Sequence, residues 1–502
     1  MRSRHSAFPR NIKKPVKSMK SAGGKIPFPF PRITFPLEKI LSIGIFRLII
    51  EDTMNYKMPE FTDKDTLIQN LGPCNYTSPM AEHYDNSLFT TDNDRILFDI
   101  SYDGTMKAIK EGKTLPSFEC AGPREKIFFN PATTKVGIVT CGGLCPGLND
   151  IIRNVVMGLS HAYGVHRIYG FRYGYAGLVP ESNYEPVLLD PDVVSDIHVQ
   201  GGTILASSRG QQDTPTIVDT LQRMGIDILF VVGGDGTLRA AREISDECNI
   251  RGLKKSIIGI PKTIDNDIIL LDKSFGFESA VTEAVKVINC AHVEAKGAPN
   301  GIGIVKLMGR DSGFIAAYAS LASSEANYVL IPEVPLELDG PGGFLEALRE
   351  RVRSRGHALI VVAEGAGQNL FSSSAGVDAS GNKLHNDIGK YLRDRVKADM
   401  KEHNIDVTIK YIDPSYIIRS IPANAYDNAY CSHLAHNAVH AGMAGKTGMI
   451  VAMCHRVHVN LPLALIATAR KRLNLNSELW RGVIECTGQP LCWGQHGQTK
   501  KA

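Results

Sequence analysis

The stretch Ile257–Asp267, which reads IIGIPKTIDND, decides the predicted fold. Its first four residues are mostly apolar, which is typical of a short buried strand in a parallel sheet. Pro261 has no N–H group to donate, so we expect the strand to end there. The polar residues from Lys262 to Asp267 then lie at the carboxyl end of the strand, where open α/β sheets place their ligands. One ammonium group and two carboxylates so close together indicate a metal, a phosphate or a proton transfer, with a plain polar turn as the alternative.

Strand, loop and helix signals repeat on both sides of this stretch, from Lys135 to Met453. The alternation predicts parallel sheets with helices on both faces. Roughly 320 residues is long for one such sheet, so we predict an α/β fold with two doubly wound, mostly parallel-sheet lobes, a cleft between them and an N-terminal extension. The predicted strands are 136–140, 167–172, 227–232, 257–260, 302–307, 328–331, 358–363, 407–412 and 449–453. The predicted helices are 148–160, 216–224, 238–247, 279–295, 314–323, 343–353, 387–403 and 424–443.

The ends of the chain differ from this body in composition. Residues 1–37 hold nine Lys or Arg and no acid, so we expect the N-terminal segment to lack a fold of its own. The predicted parts are a basic segment 1–50, an extension 51–133 that wraps the body, one lobe from 134–265 and about 420–455, a second lobe from 266–419, and a C-terminal extension 456–502.

Composition limits the classes of function. The hydrophobic fraction is 43% and the charged fraction is 22%, as in ordinary globular proteins. The net charge of +4 comes from the basic N-terminal segment, and the remainder carries 47 basic against 52 acidic residues, which argues against nucleic-acid binding. Ten scattered cysteines without a CxxC pair indicate reduced thiols rather than a zinc site. Leu41–Ile50 is too short to span a membrane, so we expect a cytoplasmic protein, or an organellar one if 1–50 is a targeting peptide.

Two glycine-rich loops follow predicted strands. Cys141–Asp150, CGGLCPGLND, can bring backbone N–H groups close to an anion at the start of a helix, although a tight turn would also use these glycines. It matches neither the dinucleotide fingerprint nor the P-loop. In Val231–Leu238, VVGGDGTL, Asp235 stands where a helix begins. This carboxylate is either a helix cap or a ligand of Mg²⁺, and the phosphate loop nearby favours Mg²⁺.

Further strand ends carry charged side chains that suit phosphate or hydroxyl groups. Each of them alone has an ordinary structural explanation, such as a surface ion pair or a helix cap. Together they supply the positioning and charge neutralisation that phosphoryl transfer needs. They are Arg209 in SSRG, Arg310 in KLMGRDSG, Glu364 in VVAEG, and Lys410, Tyr416 and Arg419 in KYIDPSYIIR.

Taken in order, these motifs closely resemble those of the phosphofructokinase family. The matching stretches run from about Lys135 to Met453 and read GGLCPGLN, GGTILASSRG, GGDGT, PKTIDND, VKLMGRDSGFIA, VAEGAGQ and KYIDPSYIIR. The resemblance implies transfer of a phosphoryl group, with Mg²⁺ as cofactor, to the 1-hydroxyl of fructose 6-phosphate in glycolysis. It also implies a homotetramer under allosteric control. The lobe that contains 134–265 would bind the nucleotide, and the lobe 266–419 would bind the sugar phosphate.

The resemblance also implies roles for individual residues. Asp265 would be the general base with Lys262 beside it, and Asp235 would be the acid associated with Mg²⁺. The residues implied for ATP are Gly142, Arg209, Gly210, Gly234, Asp235, Gly236 and Thr237. The residues implied for fructose 6-phosphate are Thr263, Ile264, Asp265, Met308, Gly309, Arg310, Glu364, Lys410, Tyr416, Ile417, Ile418 and Arg419.

Three positions depart from the common patterns of the family. Its pyrophosphate users carry a second Asp where this chain has Gly236, and a glycine leaves room for the α-phosphate of ATP. Its bacterial ATP users have glycine where this chain has Lys262. The pair resembles an atypical ATP-using branch, so we predict that Gly236 and Lys262 set the phosphoryl donor. Gly301 replaces an arginine that in bacterial members reaches the sugar phosphate across the subunit interface, and Lys410 is the candidate replacement.

Two other functions are compatible with parts of the sequence. A lipid or dinucleotide kinase can also contain GGDGT, but such chains do not pair it with MGRDSG and KYIDPSYIIR. A catalytically silent subunit that senses sugar phosphate would keep the fold. The presence of Asp235, Asp265, Arg310 and Arg419 argues against that second alternative.

Overall fold

The computed structural model describes residues 61–82, 88–372, 376, 384–466 and 469–494, all within the unit Tyr56–Ala502. The predicted basic segment 1–50 lies outside the described residues, as does most of the loop between 373 and 383. The described strands, numbered in chain order, are β1 Gln69–Asn70, β2 Tyr76–Thr77, β3 Arg95–Leu97, β4 Ser117–Cys120, β5 Lys126–Ile127, β6 Lys135–Thr140, β7 Arg167–Phe171, β8 Val187–Leu189, β9 Ile228–Gly233, β10 Ser256–Pro261, β11 Gly301–Leu307, β12 Tyr328–Leu330, β13 His357–Ala363, β14 Thr408–Ile412, β15 Lys446–Thr447, β16 Met449–Cys454 and β17 Val457–Pro462.

The helices explain how the sheets are covered and connected. All eight predicted helices are present, with their ends shifted by at most three residues. The described helices are α1 Tyr102–Lys110, α2 Leu148–Met157, α3 Thr214–Met224, α4 Asp235–Ile250, α5 Phe277–Lys296, α6 Phe314–Ser323, α7 Phe344–Arg355, α8 Ile388–Glu402, α9 Ile417–Ser420, α10 Ala425–Met443, α11 Leu463–Ile466 and α12 Glu478–Thr487. Within the described ranges, no helix combines the length and the apolar character needed to cross a membrane.

The larger sheet contains nine strands in the order β3-β4-β17-β16-β10-β9-β6-β7-β8. Its five central strands, from β16 to β7, are parallel. Along β9, Ile228 and Phe230 belong to the core shared with α2 and α10, whereas Leu229 and Val231 belong to the core shared with α3 and α4. Because side chains alternate across a strand, this division means that helices cover both faces. The predicted doubly wound lobe is confirmed.

The smaller sheet is wholly parallel, in the order β12-β13-β11-β14. Its central strands β11 and β13 are almost completely buried, since helices pack against them. The loops that leave the carboxyl ends of this sheet meet those of the larger sheet, where Ser312 Oγ donates to the carbonyl oxygen of Asp265 over 3.1 Å. The two lobes therefore meet at the edges where parallel sheets place their ligands.

The central strand includes Pro261, one residue beyond the predicted strand 257–260. Pro261 is paired with Gly233 in the parallel ladder, and the next donor is Lys262, whose N–H reaches the Gly233 oxygen at 2.9 Å. In a parallel ladder only alternate residues bond to a given neighbouring strand, so the missing N–H of Pro261 leaves this ladder intact. The strand therefore ends at the proline as predicted, with Pro261 itself as the last residue of the ladder.

Antiparallel strands extend both edges of the larger sheet. The segment before Lys135 supplies β3 and β4, and β4 pairs with β17 near the C-terminus. The same N-terminal region supplies β1, which pairs with β15. These strands have two to six residues and were not predicted, because their own sequences are too short to show a period. Two of the pairings, β1 with β15 and β4 with β17, also join residues hundreds of positions apart.

Candidate active site

The glycine-rich loops place backbone donors at the meeting edge. Helix α4 begins after Gly234, which has no side chain to cap the helix, and α2 likewise begins after Gly147. The first N–H groups of such helices need an outside acceptor, and a phosphate is a good one. Gly142 has φ = +84°, a conformation that favours glycine, and its carbonyl accepts a 2.6 Å hydrogen bond from Ser207 Oγ. This bond fixes the Cys141–Gly147 loop against the loop that carries Arg209.

Three cationic side chains converge on Gly143. Lys262 Nζ donates to the Gly143 carbonyl oxygen over 2.6 Å. A Cβ built on Gly143 would lie 3.5 Å from Arg209 Nη2 and 3.8 Å from Arg419 Nη1. Residues predicted for the donor side and for the sugar side thus meet at a single glycine. Gly143 itself was not among the predicted site residues, although it lies in the quoted GGLCPGLN motif.

The ammonium of Lys262 is held in a dry position. The residue is 7% exposed, and burial lowers its pKa below the ordinary value for lysine. A buried cation at the end of a strand is costly unless an anion or hydrogen-bond acceptor lies nearby. The position of Lys262 therefore suits an interaction with a polyphosphate that passes Gly143.

Asp265 occupies the turn between the two lobes. Its N–H donates to Thr263 Oγ1 at 3.1 Å, and Thr263 Oγ1 donates to Asp267 Oδ1 at 2.8 Å, so the turn is internally fixed. The Oδ1 atom of Asp265 is buried, with no hydrogen-bond partner among the described residues. Burial raises the pKa of Asp265 well above its ordinary value, with further increases from the carboxylates of Asp267 and Glu364. A carboxylate of this kind is well placed to accept a proton from a substrate hydroxyl.

The predicted sugar-phosphate residues form a second group on the smaller lobe. Arg310 Nε lies 3.5 Å from Glu364 Oε1, and burial raises the pKa of Glu364. The guanidinium carbon of Arg419 lies 4.8 Å from the centre of the Tyr416 ring. Ile418, next to Arg419, is completely buried, so its side chain anchors this short helix in the core.

A salt bridge next to this group connects strand β11 to the turn that precedes α9, the short helix that carries Arg419. Lys306 Nζ lies 2.8 Å from Asp413 Oδ2, and the other oxygen of Asp413 accepts a 3.1 Å hydrogen bond from the Ser415 N–H. This bond fixes the turn just before Tyr416. Neither Lys306 nor Asp413 was predicted to act in the site.

A cluster of three carboxylates surrounds Arg470. One guanidinium nitrogen, Nη2, lies 3.6 Å from Asp235 Oδ2, while Nη1 lies 4.0 Å from Asp267 Oδ2 and is hydrogen-bonded to Asp311 Oδ2. We call Asp235, Asp267 and Asp311 the carboxylate cluster. Arg470 belongs to the C-terminal extension, for which the sequence predicted neither structure nor function. Oxygen ligands of this type suit Mg²⁺, so the carboxylate cluster is chemically able to hold the ion implied by the resemblance.

Comparisons with known proteins identify the family. The family model described as Phosphofructokinase matches residues 135–442. A protein from Borreliella burgdorferi named ATP-dependent 6-phosphofructokinase is 48% identical over 437 residues, covering 85% of this chain and 97% of its own length. A protein of the same name from Trypanosoma brucei brucei is 44% identical over 430 residues, covering 85% and 88%. The chain belongs to the phosphofructokinase family.

Solved phosphofructokinases share the fold of this family member. The pyrophosphate-dependent phosphofructokinase from Marinobacter aquaeolei aligns with a TM-score of 0.58 and 20% identity, covering 72% of this chain and 92% of its own. Phosphofructokinase from Pichia pastoris aligns with a TM-score of 0.54 and 23% identity, covering 70% and 36%. At such low identity the likeness concerns the fold alone. The predicted α/β fold and the predicted family are both confirmed.

Lys410 lies apart from the other predicted site residues of this phosphofructokinase. Lys410 is paired with Gly303 in the middle of β11, and its Nζ lies 3.6 Å from Glu294 Oε2. Four residues separate Gly303 from the carboxyl end of β11, which is roughly 13 Å. Gly301 has no room for a side chain, because a Cβ there would lie 2.0 Å from the Ala295 carbonyl oxygen. The structure thus explains the glycine, and it places Lys410 beside Glu294, in the middle of β14.

Proposed function

We propose that this chain phosphorylates the 1-hydroxyl of fructose 6-phosphate with Mg-ATP, giving fructose 1,6-bisphosphate and ADP. Two kinds of support combine. Relatives named ATP-dependent 6-phosphofructokinase are 43–49% identical over most of their length. Residues that the family resemblance singles out, Asp265, Lys262, Arg209 and Arg419 among them, also lie where the loops of the two sheets meet, whereas Lys410 lies apart. The reaction is the committed step of glycolysis.

The buried, unpartnered Oδ1 of Asp265 is the observation that carries this proposal. In the proposed step, Asp265 takes the proton of the 1-hydroxyl while that oxygen forms a bond to the γ-phosphorus. The bond between the γ-phosphorus and the bridging β,γ-oxygen breaks, and ADP leaves. Since the free hydroxyl has a pKa far above 7, a nearby base lowers the barrier for attack.

The surrounding cations would offset the negative charge that this transfer concentrates. Lys262, Arg209 and Arg419 all lie close to Gly143, where we place the transferring phosphoryl group. The donor would bind along Gly142, Arg209, Gly210 and the start of α4 at Gly234–Thr237. Arg310, Glu364 and Arg419 would hold the sugar phosphate, with Met308, Gly309 and Thr263 shaping its pocket.

Mg²⁺ fits the carboxylate cluster, and Asp235 is its proposed principal ligand. When bound, the ion would shield the phosphate oxygens and polarise the bond that breaks. The protein's contribution is to place Asp235 at the start of α4, beside the N–H groups that face the phosphates. Asp267 is held by Thr263, so its role is to orient the turn or to share the ion.

ATP is the proposed donor, since the backbone after Asp235 leaves space for a nucleotide. The nearest atom to a Cβ built on Gly236 is Arg239 Nη2, at 3.9 Å. An α-phosphate can therefore approach the backbone at this position. The solved pyrophosphate-dependent relatives share only the fold, whereas the relatives of higher identity are named for ATP.

The remaining assignments complete the proposal. We assign the donor to the lobe of residues 134–265 with 420–455 and the sugar phosphate to the lobe 266–419, and we propose a homotetramer in which a neighbouring copy completes the site through Lys410. The proposed compartment is the cytoplasm, because all ten cysteines are free thiols.

A parallel assay tests the function. The purified chain receives fructose 6-phosphate with either ATP or pyrophosphate, and the release of ADP or of phosphate, respectively, is measured. We expect turnover with ATP alone, and no turnover with either donor would support the silent-subunit alternative. Asp265→Asn should reduce kcat by about two to four orders of magnitude, because it keeps the shape and removes the base. Asp246→Asn, at an exposed carboxylate on α4, is the control and should leave kcat unchanged.

A further inference from the structure

Arg470 is fixed at the carboxylate cluster by its own backbone as well as by its charge. It forms an isolated antiparallel bridge with Ile268, directly after Asp267. The next residue, Lys471, donates its N–H to the Asp267 carbonyl oxygen over 2.7 Å and its ammonium to the Leu271 carbonyl oxygen over 2.8 Å. The segment that carries Arg470 is thus attached to the PKTIDND turn, and the guanidinium is built into the site.

The guanidinium has a charge partner in each lobe. Asp235 follows β9 of the larger sheet, whereas Asp311 follows β11 of the smaller one. Burial lowers the pKa of Arg470, but the carboxylates of Asp311, Asp267 and Asp235 outweigh burial and raise it. Arg470 is therefore charged at every pH of interest and neutralises part of the cluster.

We propose that Arg470 is the internal counter-cation of the carboxylate cluster and competes there with a divalent metal ion. The inference rests on the proposed function only for placing the metal at Asp235. The guanidinium and the ion need the same carboxylate oxygens, so the guanidinium leaves when the ion binds. Because Arg470 joins both lobes, its departure also removes a link between them. The C-terminal extension would in this way set the metal concentration at which the site is filled.

Direct metal binding tests this competition without any turnover. Mn²⁺ is titrated into the full chain without nucleotide or sugar, and free Mn²⁺ is followed by its electron paramagnetic resonance signal. In Arg470→Gln we expect the Mn²⁺ dissociation constant to fall by about tenfold. Mn²⁺ then no longer has to break the charge-assisted contact between the guanidinium and a carboxylate, and such a contact is worth about that factor. Arg472→Gln removes an exposed arginine from the same segment and should leave Mn²⁺ binding unchanged. Unchanged or weaker binding in a folded Arg470→Gln protein would overturn the proposal.

The unmodified chain provides a second test, which does not require that the Arg470→Gln protein folds. Mg²⁺ is added, the protein is treated with an arginine-specific dicarbonyl reagent, and modification is mapped by mass spectrometry. We expect Mg²⁺ to increase modification of Arg470, with exposed Arg472 in the same peptide as the internal reference. Equal or lower modification of Arg470 in Mg²⁺ would contradict displacement.

The outcomes separate this inference from the proposed function. If the unmodified chain turns over fructose 6-phosphate with ATP but Arg470→Gln binds Mn²⁺ no more tightly, the function stands and the competition is wrong. If the chain does not turn over these substrates, the Mn²⁺ titration still decides the role of Arg470. Asp235→Asn should weaken Mn²⁺ binding, and unchanged binding in that variant would place the metal outside the carboxylate cluster and overturn the proposal.

Discussion

Changing Gly236 to Asp should convert a permissive donor site into one that repels ATP. The geometry indicates that the folded chain accepts the new side chain, because the nearest atom to a Cβ at this position is the flexible end of Arg239, 3.9 Å away. Arg239 Nη2 already lies 3.5 Å from Asp235 Oδ2 and is half exposed, so it neutralises the added carboxylate only in part. The loss of activity should therefore come from the ligand and not from unfolding.

The size of the effect follows from Coulomb's law. Two like charges about 5 Å apart at an effective dielectric constant of about 20 repel by roughly 3 kcal/mol. Solvent and the neighbouring arginine reduce this penalty to about 1.4–2 kcal/mol, which corresponds to at least a tenfold rise in KM for ATP.

Steady-state kinetics at saturating fructose 6-phosphate measure this change. Gly236→Ala is the matched control, because it adds the Cβ without the charge, and its KM for ATP should rise far less than that of Gly236→Asp. Thermal unfolding of both variants should match that of the unmodified chain. An unchanged KM for ATP in Gly236→Asp would refute the reasoning. Rapid pyrophosphate-driven turnover of the unmodified chain would also refute it, and would show that Lys262 determines which donor is used.

Three further predictions concern the sugar side and the base. Arg419→Ala should raise KM for fructose 6-phosphate by roughly ten- to hundredfold through loss of a charge-assisted contact, and a selective rise in KM for ATP would place Arg419 on the donor side instead. Lys306→Met should raise KM for fructose 6-phosphate by about three- to tenfold with little change in kcat, because Asp413 loses its salt bridge and no longer fixes the turn before Tyr416. Kinetics that match the unmodified chain would show that the salt bridge is dispensable. Because burial and then the Asp267 carboxylate raise the pKa of the base, kcat should fall as pH decreases through that raised value. Asp267→Asn should move this acid limb of the kcat–pH profile to lower pH, and a limb that stays in place or moves upward would show that Asp265 is not the group that titrates.

The body of the fold could be predicted because its strands are buried on both faces and therefore read as continuous apolar runs. All nine predicted strands are present to within one residue at either end. The antiparallel strands β3, β4 and β17 could not be predicted in the same way. Their order in the sheet depends on pairing across a large sequence separation, as when Asn460 pairs with Glu119. Short local sequence does not encode such a partner.

Much of the candidate site could be predicted from one rule, that the carboxyl ends of neighbouring parallel strands meet. This rule predicts from the sequence that Asp265, Arg310 and Glu364 form one group. The position of Arg470 could not be predicted, because its segment has no periodic signal and is fixed by backbone pairing with Asp267 and Ile268, about 200 positions earlier. Lys410 belongs to the same motif as Tyr416 and Arg419 but lies in the middle of β14, so its role towards a neighbouring copy stays a prediction.

The pairing of β4 with β17 also has a consequence for how the chain is made. On the ribosome, β4 emerges together with β3, but the Asn460 side chain, which donates to Glu119, follows 341 residues later. At about 5–20 residues per second, β17 appears roughly 20–70 seconds after β4. A two-stranded hairpin is barely stable alone, and β4 has no partner on its β17 side for that interval, although the rings of Phe61 and Phe98 are already available to pack on Phe118. The nascent chain therefore carries an open sheet edge through most of its synthesis.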